Sequence, residues 1–137
     1  MPQFSRASRQ QLATCHPDIR RVCEELIKTV DFAVTCGHRN RQDQNRALAE
    51  GKSRLRWPLS AHNKLPSEAV DLVPYPVDWQ DIGRFKELAC AFMAVANLLY
   101  ELGIIHSRFV WGGTWETFKD YPHYEVRAAP VHARQER

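Results

Sequence analysis

Between Ile82 and Leu99 the apolar residues Ile82, Phe85, Ala89, Phe92, Met93, Ala96 and Leu99 recur at three- and four-residue spacing, and the run stops at Gly103. That period puts them on one stripe of a single long helix. No other segment is so strongly patterned, so the remaining elements must pack around this helix as the centre of the core. Asp78 reads as its N-cap, with Asp81 three residues on in a capping-box-like position.

The other elements are short. Ile19, Val22, Cys23, Leu26, Ile27 and Val30 form a second amphipathic stripe, with Pro17 suited to its first turn and Asp18 to its positive end. A shorter helical piece is expected around Ser8 to Ala13. Phe32 to Cys36 is apolar, partly β-branched and closed by Gly37, the pattern of a strand. Asn40 suits the N-cap of a polar helix running to Glu50 and closed by Gly51. Residues 51 to 68 hold Gly51, Pro58, Pro66 and several Ser and Asn, and read as a long loop, a feature that in a compact domain is usually functional or disordered. Ala69 to Val73 is a strand stopped by Pro74 and Pro76. Arg108 to Trp111 and His123 to Val126 are short strand candidates around a Gly112-Gly113 turn, and the basic tail 128–137 is expected to fray. The sum is an α+β fold: a small antiparallel sheet packed against helices, in one domain spanning 1–137.

Composition removes several function classes. A chain of 137 residues with 44% hydrophobic and 26% charged residues buries a core without disulfide staples. No apolar run approaches the roughly 20 residues that span a membrane, so stable membrane insertion is not expected. Met1-Pro2-Gln3-Phe4-Ser5-Arg6 lacks the basic start and apolar stretch of a secretory signal, which points to folding in a cytoplasm. Cys15 and Cys23, if on one continuous helix, lie about 12 Å apart along its axis and cannot bridge; a break near Pro17 would weaken that argument. Cys36 and Cys90 sit in apolar runs and read as small core residues, and no CxxC pair is present. The net charge of +3 is too small for a dedicated nucleic-acid binder. The cluster Arg39, Arg41, Arg46, Lys52, Arg54 and Arg56 is read first as a solvated face, and second as affinity for an anionic wall or envelope.

Three places collect side chains that chemistry uses: Ser60-Ala61-His62 with Ala69-Val70-Asp71, Asp120-Tyr121-Pro122-His123-Tyr124-Glu125, and Gly37-His38-Arg39 with Gln44. Asp71 is the informative one. Strand alternation puts it on the face of Ala69 and Val73, where an unpaired carboxylate costs several kcal/mol. A metal or an arginine would offset that cost. Two imidazoles and a carboxylate make a common catalytic zinc set with a fourth position for water, and Asp120, close to His123, could move the proton. There is no HExxH helix, however, and an isolated His more often caps, packs or hydrogen-bonds than binds metal. His16, His38, His106 and His132 are read in that structural way.

The same residues resemble the phage endolysins of the L-alanyl-D-glutamate peptidase type, within the wider group of D-alanyl-D-alanine carboxypeptidases and dipeptidases whose fold the hedgehog signalling domain shares. The family pattern is Ser-x-His, a short loop, Ala-x-Asp, and a carboxylate three residues ahead of a second His. Ser60-Ala61-His62, Ala69-Val70-Asp71 and Asp120-Tyr121-Pro122-His123 match it in order, as do Gly37-His38-Arg39 with Gln44, and Trp111-Gly112-Gly113-Thr114-Trp115. The resemblance implies zinc held by His62, Asp71 and His123, with Asp120 as general base. It implies that Arg39 holds a substrate carboxylate or stabilises the oxyanion, that Gln44 and Ser60 are supporting polar groups on the substrate side, and that Tyr121, Trp111 and Trp115 wall the cleft or pack. It departs in an eight-residue loop from Asn63 to Val70, where many relatives have six, and in Thr114, where Asp is frequent. The implied function is hydrolysis of a peptidoglycan stem peptide between L-Ala and D-Glu by a monomeric lysin that waits in the host cytoplasm until it reaches the wall. The alternatives are D-Ala–D-Ala carboxypeptidase or dipeptidase chemistry, which tends to use Glu where Asp120 stands, and a non-enzymatic zinc-binding interaction domain.

Overall fold

A computed structural model describes residues 1–127; the expected frayed tail at 128–137 lies outside the described residues. Four helices and four strands follow the chain as α1 (Arg6–Leu12), α2 (Pro17–Leu26), β1 (Phe32–Cys36), α3 (Arg41–Ala49), β2 (Ala69–Pro74), α4 (Ile82–Glu101), β3 (Phe109–Trp111) and β4 (His123–Val126). The architecture is α+β. The sheet is antiparallel, in the order β1-β2-β4-β3.

Local chemistry sets most boundaries. Pro17 opens α2, and His16 caps it by accepting the amide of Asp18 at 3.0 Å. Asn40 caps α3 through the amide of Asp43, and Gly51 closes it at φ +76, a left-handed conformation that glycine adopts without penalty. The N-cap of α4 is Asp81, not Asp78: Asp81 accepts the amide of Arg84, whereas Asp78 accepts that of Gln80 in a tight turn before the helix. Both carboxylates suit the role, and the chain direction imposed by Pro76 and the turn selects the later one.

The sheet has two unlike faces. Val34, Val70, Leu72 and Tyr124 are buried in one core with apolar residues of α1, α2 and α4, with Phe92 of α4 packing its ring 4.3 Å from that of Tyr124 and 5.3 Å from that of Phe109. The intervening residues of β2 and β4 point the other way, so Asp71, His123 and Glu125 share the opposite face. Cys23 is in the core as expected. Cys90 is not: it faces solvent on the outer side of α4, because its apolar neighbours belong to a stripe that its own position misses. The helix does break at Pro17, leaving Cys15 outside α2, and all four thiols are free. No helix among the described residues is long and apolar enough to cross a membrane.

Candidate metal centre

Strand register assembles the site. Asp71 on β2 pairs directly with His123 on β4 and, on its other side, with Cys36 on β1. Directly paired residues stand about 5 Å apart with side chains on one face, so these three form a row across the sheet. An irregularity between Val34 and Cys36 shifts the β1 register by one residue and turns Cys36 into the row. His62 arrives from a different direction, on a single 3-10 turn (Ala61–Asn63) inside the long loop.

That loop is tied down rather than free. Ser60 caps the turn by accepting the amide of His62, while the Asn63 side chain accepts the amide of Ser60 at 3.0 Å. The His62 carbonyl accepts the Arg39 amide at 2.8 Å, and the Ala61 carbonyl accepts that of Glu68 at 3.1 Å. The eight-residue span from Asn63 to Val70 is therefore fixed at both ends, which is what lets a longer loop be tolerated.

The two imidazoles are each held by one nitrogen. The Nδ1 of His62 lies 2.7 Å from the Gly37 carbonyl, which can only accept, so Nδ1 carries the hydrogen. The Nε2 of His123 lies 2.6 Å from Oε1 of Glu125 and donates to it. The remaining nitrogens, Nε2 of His62 and Nδ1 of His123, face Asp71 Oδ1 at 3.1 and 3.4 Å. The rings themselves stand edge to face with centroids 5.0 Å apart. In a neutral imidazole each of these facing nitrogens bears a lone pair, and a lone pair set against a carboxylate requires a proton or a cation between them.

The electrostatics follow from that requirement. Burial alone would lower the pKa of His62, but the adjacent Asp71 carboxylate outweighs it and pushes the imidazole up to about 10. His123 moves upward for the same reason, against burial, through hydrogen bonds to Asp71 and Glu125. Burial raises Asp71, yet His62 and His123 together hold it well below the usual carboxylate range. Without metal, then, a proton occupies the position between His62 and Asp71, and a divalent ion would take its place. Second carboxylates and carbonyls behind the ligating imidazoles are what metal sites use to orient their ligands.

Asp120 stands at the edge of this cluster, its Oδ2 3.9 Å from His123 Nδ1. Burial raises its pKa, and the charge of Asp71 raises it further. Its position depends on Gly112: a Cβ there would lie 2.4 Å from the Asp120 carbonyl, so only glycine admits the approach that lets the Asp120 amide bond the Gly112 carbonyl at 3.0 Å. Trp111 holds the far side of the same loop by donating Nε1–H to the Tyr121 carbonyl at 2.7 Å. Trp111 and Tyr121 thus pack and brace the loop, whereas Trp115 lines the cleft, its ring 5.0 Å from that of His123. Thr114 donates to the Trp111 carbonyl at 2.8 Å and closes the turn.

Arg39 reaches the cluster from the chain after β1. Its Nη2 lies 3.7 Å from Asp71 Oδ2, and its Nη1 donates to Gln44 Oε1 at 3.0 Å. Gln44, expected as a supporting polar group on the substrate side, lies beneath Arg39. The residue is fully buried, and its amide is spent on Arg39, Asn63, Ser53 and the Leu55 carbonyl. It positions Arg39 and joins α3 to the two loop segments. Two further participants were not assigned a role from sequence. Glu125 sits two residues beyond His123 on one strand face, a period that could have found it. Cys36, expected in the core, is only half-buried, with Sγ 3.8 Å from both His62 Nδ1 and Arg39 Nη2. Its sulfur, a ring nitrogen of His62 and a carboxylate oxygen of Asp71 lie within 4.8 Å of one another. The cluster opens into a cleft of about 900 Å³, whose walls include α3, the loop after it, and residues 115–122.

Residues 1–130 match the family model described as phage L-alanyl-D-glutamate peptidase. The chain belongs to that family. Among curated proteins it is similar to the L-alanyl-D-glutamate peptidase of Escherichia phage T5, 29% identical over 130 residues, covering 91% of this chain and 89% of that one. Among solved structures it is similar to the Serratia marcescens L-Ala D-Glu endopeptidase ChiX, with a TM-score of 0.73, 30% identity, and coverage of 91% of this chain and 90% of that one. In family terms, the Ser-x-His turn, the Ala-x-Asp strand and the Asp-x-x-His strand start are the three segments that meet at the cleft floor.

Proposed function

We propose that this protein hydrolyses the amide between L-Ala and D-Glu in peptidoglycan stem peptides, as a zinc-dependent lysin, with His62, Asp71 and His123 holding the ion. The observation that carries the reading is the pair of imidazole nitrogens facing one Asp71 oxygen while their opposite nitrogens are bound to protein. Cys36 is left out of the ligand set because its sulfur approaches the His62 nitrogen that is already engaged by Gly37. The names carried by the phage T5 and Serratia relatives support the choice of scissile bond over D-Ala–D-Ala chemistry, as does an Asp rather than a Glu at position 120.

When bound, zinc supplies Lewis-acid polarisation of the scissile carbonyl and makes water acidic enough to react near neutral pH. The chain's own residues do the rest. Asp120, raised by burial and by Asp71, is suited to accept the proton of the attacking water and to return it to the departing D-Glu nitrogen. Arg39, held in place by Gln44 and close to Asp71, points a cation at the region where negative charge develops. Ser60 acts through His62 by capping its turn. The cleft walls hold the peptide against this floor.

The test is Asp120→Asn. The variant is expected to keep one equivalent of zinc and its thermal stability while losing cleavage of purified muropeptides by about a hundredfold or more, the scale of a lost general base. Mass spectrometry of wild-type digests should show a free N-terminal D-Glu. An Asp120→Asn protein that still cleaves at the wild-type rate would remove Asp120 as the general base, and a wild-type protein that binds zinc but leaves muropeptides uncut would make a zinc-binding interaction domain the better account.

A further inference from the structure

Resting on the peptidase reading and deepening it, we propose that Arg54 recognises the free α-carboxylate of the D-Glu residue on the leaving side of the scissile bond. Four cationic side chains line the cleft: Arg39, Arg46, Lys52 and Arg54. Three are already paired with carboxylates: Arg39 with Asp71 at 3.7 Å, Arg46 with Asp43 at 3.6 Å and Lys52 with Glu50 at 3.1 Å. Among the described residues Arg54 has no carboxylate partner. Its guanidinium instead lies over the Phe118 ring, 5.0 Å from the centroid. A ring face attracts and orients the cation but satisfies none of its five N–H donors through lone pairs, so the planar fork is held in place with its hydrogen bonds unspent.

The place of that fork gives its ligand. Phe118 precedes Asp120 by two residues on the same loop, and two residues span at most about 7 Å of chain. Arg54 and Asp120, the group that returns a proton to the departing nitrogen, thus line one cleft, joined through the loop that carries Phe118. In a stem peptide the chain continues through the γ-carboxyl of D-Glu, so the carbon bearing that nitrogen also bears a free carboxylate. A guanidinium on the cleft wall with its hydrogen bonds unspent suits that planar anion, the two pairing through parallel hydrogen bonds. Arg39 has the other role, facing the charge that develops at the scissile carbonyl, with its two terminal nitrogens directed at Gln44, Asp71 and Cys36.

The experiment compares two synthetic stem peptides, one with the D-Glu α-carboxylate and one with the α-carboxamide in its place. Wild type is expected to favour the carboxylate peptide by about ten- to a hundredfold in kcat/KM, the value of a hydrogen bond to a charged group. Arg54→Ala should erase the preference by losing rate on the carboxylate peptide only, and Arg54→Lys should keep part of it. Zinc content and thermal unfolding of both variants check that the cleft remains intact. An equal loss on both peptides, or a preference that survives Arg54→Ala, overturns the assignment. The same pair of peptides is titrated calorimetrically into zinc-loaded Asp120→Asn with and without Arg54→Ala. If wild type cleaves neither peptide the peptidase reading fails, and this binding ratio still decides Arg54: a carboxylate preference lost with the arginine sustains the subsite, and no preference rejects it.

Discussion

Each imidazole on the cleft floor spends one nitrogen on the protein and aims the other at Asp71, and the partner behind it decides how firmly it is aimed. For His62 the partner is a backbone carbonyl, which no substitution removes. For His123 it is Glu125, 2.6 Å away, which a substitution can remove. Glu125→Gln is accordingly expected to weaken zinc binding by about 10- to 100-fold, the usual effect of removing an orienting carboxylate, while His123→Ala abolishes it. Competition titration against a chelator dye measures both, and equal affinities for wild type and Glu125→Gln would show that Glu125 has no orienting role. The candidate ligands were visible in the sequence because each sits in an ordered motif and because Asp71 breaks an apolar strand. Glu125 was less visible: a surface carboxylate on a strand is ordinary until its register with His123 is known. The burial of Gln44 was hidden for the opposite reason, since a polar amide in a polar helix gives no sign that it will be buried whole.

At the scale of elements, the site depends on a strand, a turn and a loop being brought to one spot by unlike means. Register places Asp71 and His123, hydrogen-bonded capping places His62, and a glycine places Asp120. The last of these yields a test. Gly112→Ala forces a methyl group to within 2.4 Å of the Asp120 carbonyl, and backbone cannot yield as a flexible side chain would. The variant is expected to lose most of kcat, because the loop carrying Asp120 has to move, and to bind zinc more weakly, because the same methyl lies 3.1 Å from Cβ of His123. Steady-state rates set beside metal content measure it; an unchanged kcat would mean that the loop has slack which this packing does not suggest. Helix α4 was legible from its period alone, whereas its first residue was not, since Asp78 and Asp81 both satisfy the local rule and only the turn in front of the helix separates them. Cys36 escaped for a related reason. Its inward or outward direction is decided by an irregularity in pairing with a strand more than 30 residues away, and nothing local reports it.

For the whole molecule, the proposed ion and a proton would compete for one position, and the two forms should respond to pH in opposite senses. In the metal-free protein the folded-state pKa of His62 is raised to about 10. Its contribution to stability is therefore complete below the unfolded value of about 6.5 and disappears as pH rises toward 10. Asp71, whose folded-state pKa is depressed, contributes above its unfolded value of about 4 and loses that contribution as pH falls. Metal-free protein should thus be most stable between about pH 4 and 6.5 and decline above. The gain in melting temperature on adding zinc should grow over that same rise, as the imidazole proton becomes easier to displace. Paired scanning calorimetry with zinc and with chelator from pH 5 to 9 tests this, and a zinc increment that does not change with pH would mean that His62 is not a ligand.

The strand order β1-β2-β4-β3 has an outcome for how such a chain matures. Among the described residues, the strand synthesised last occupies an interior place in the sheet, between β2 and β3, and it brings the second imidazole with it. A ribosome-bound intermediate that stops short of residue 126 lacks both that ligand and the backbone ladder joining the two halves of the sheet. Hydrolytic competence should therefore switch on once, late and all together, rather than build up as the polypeptide emerges.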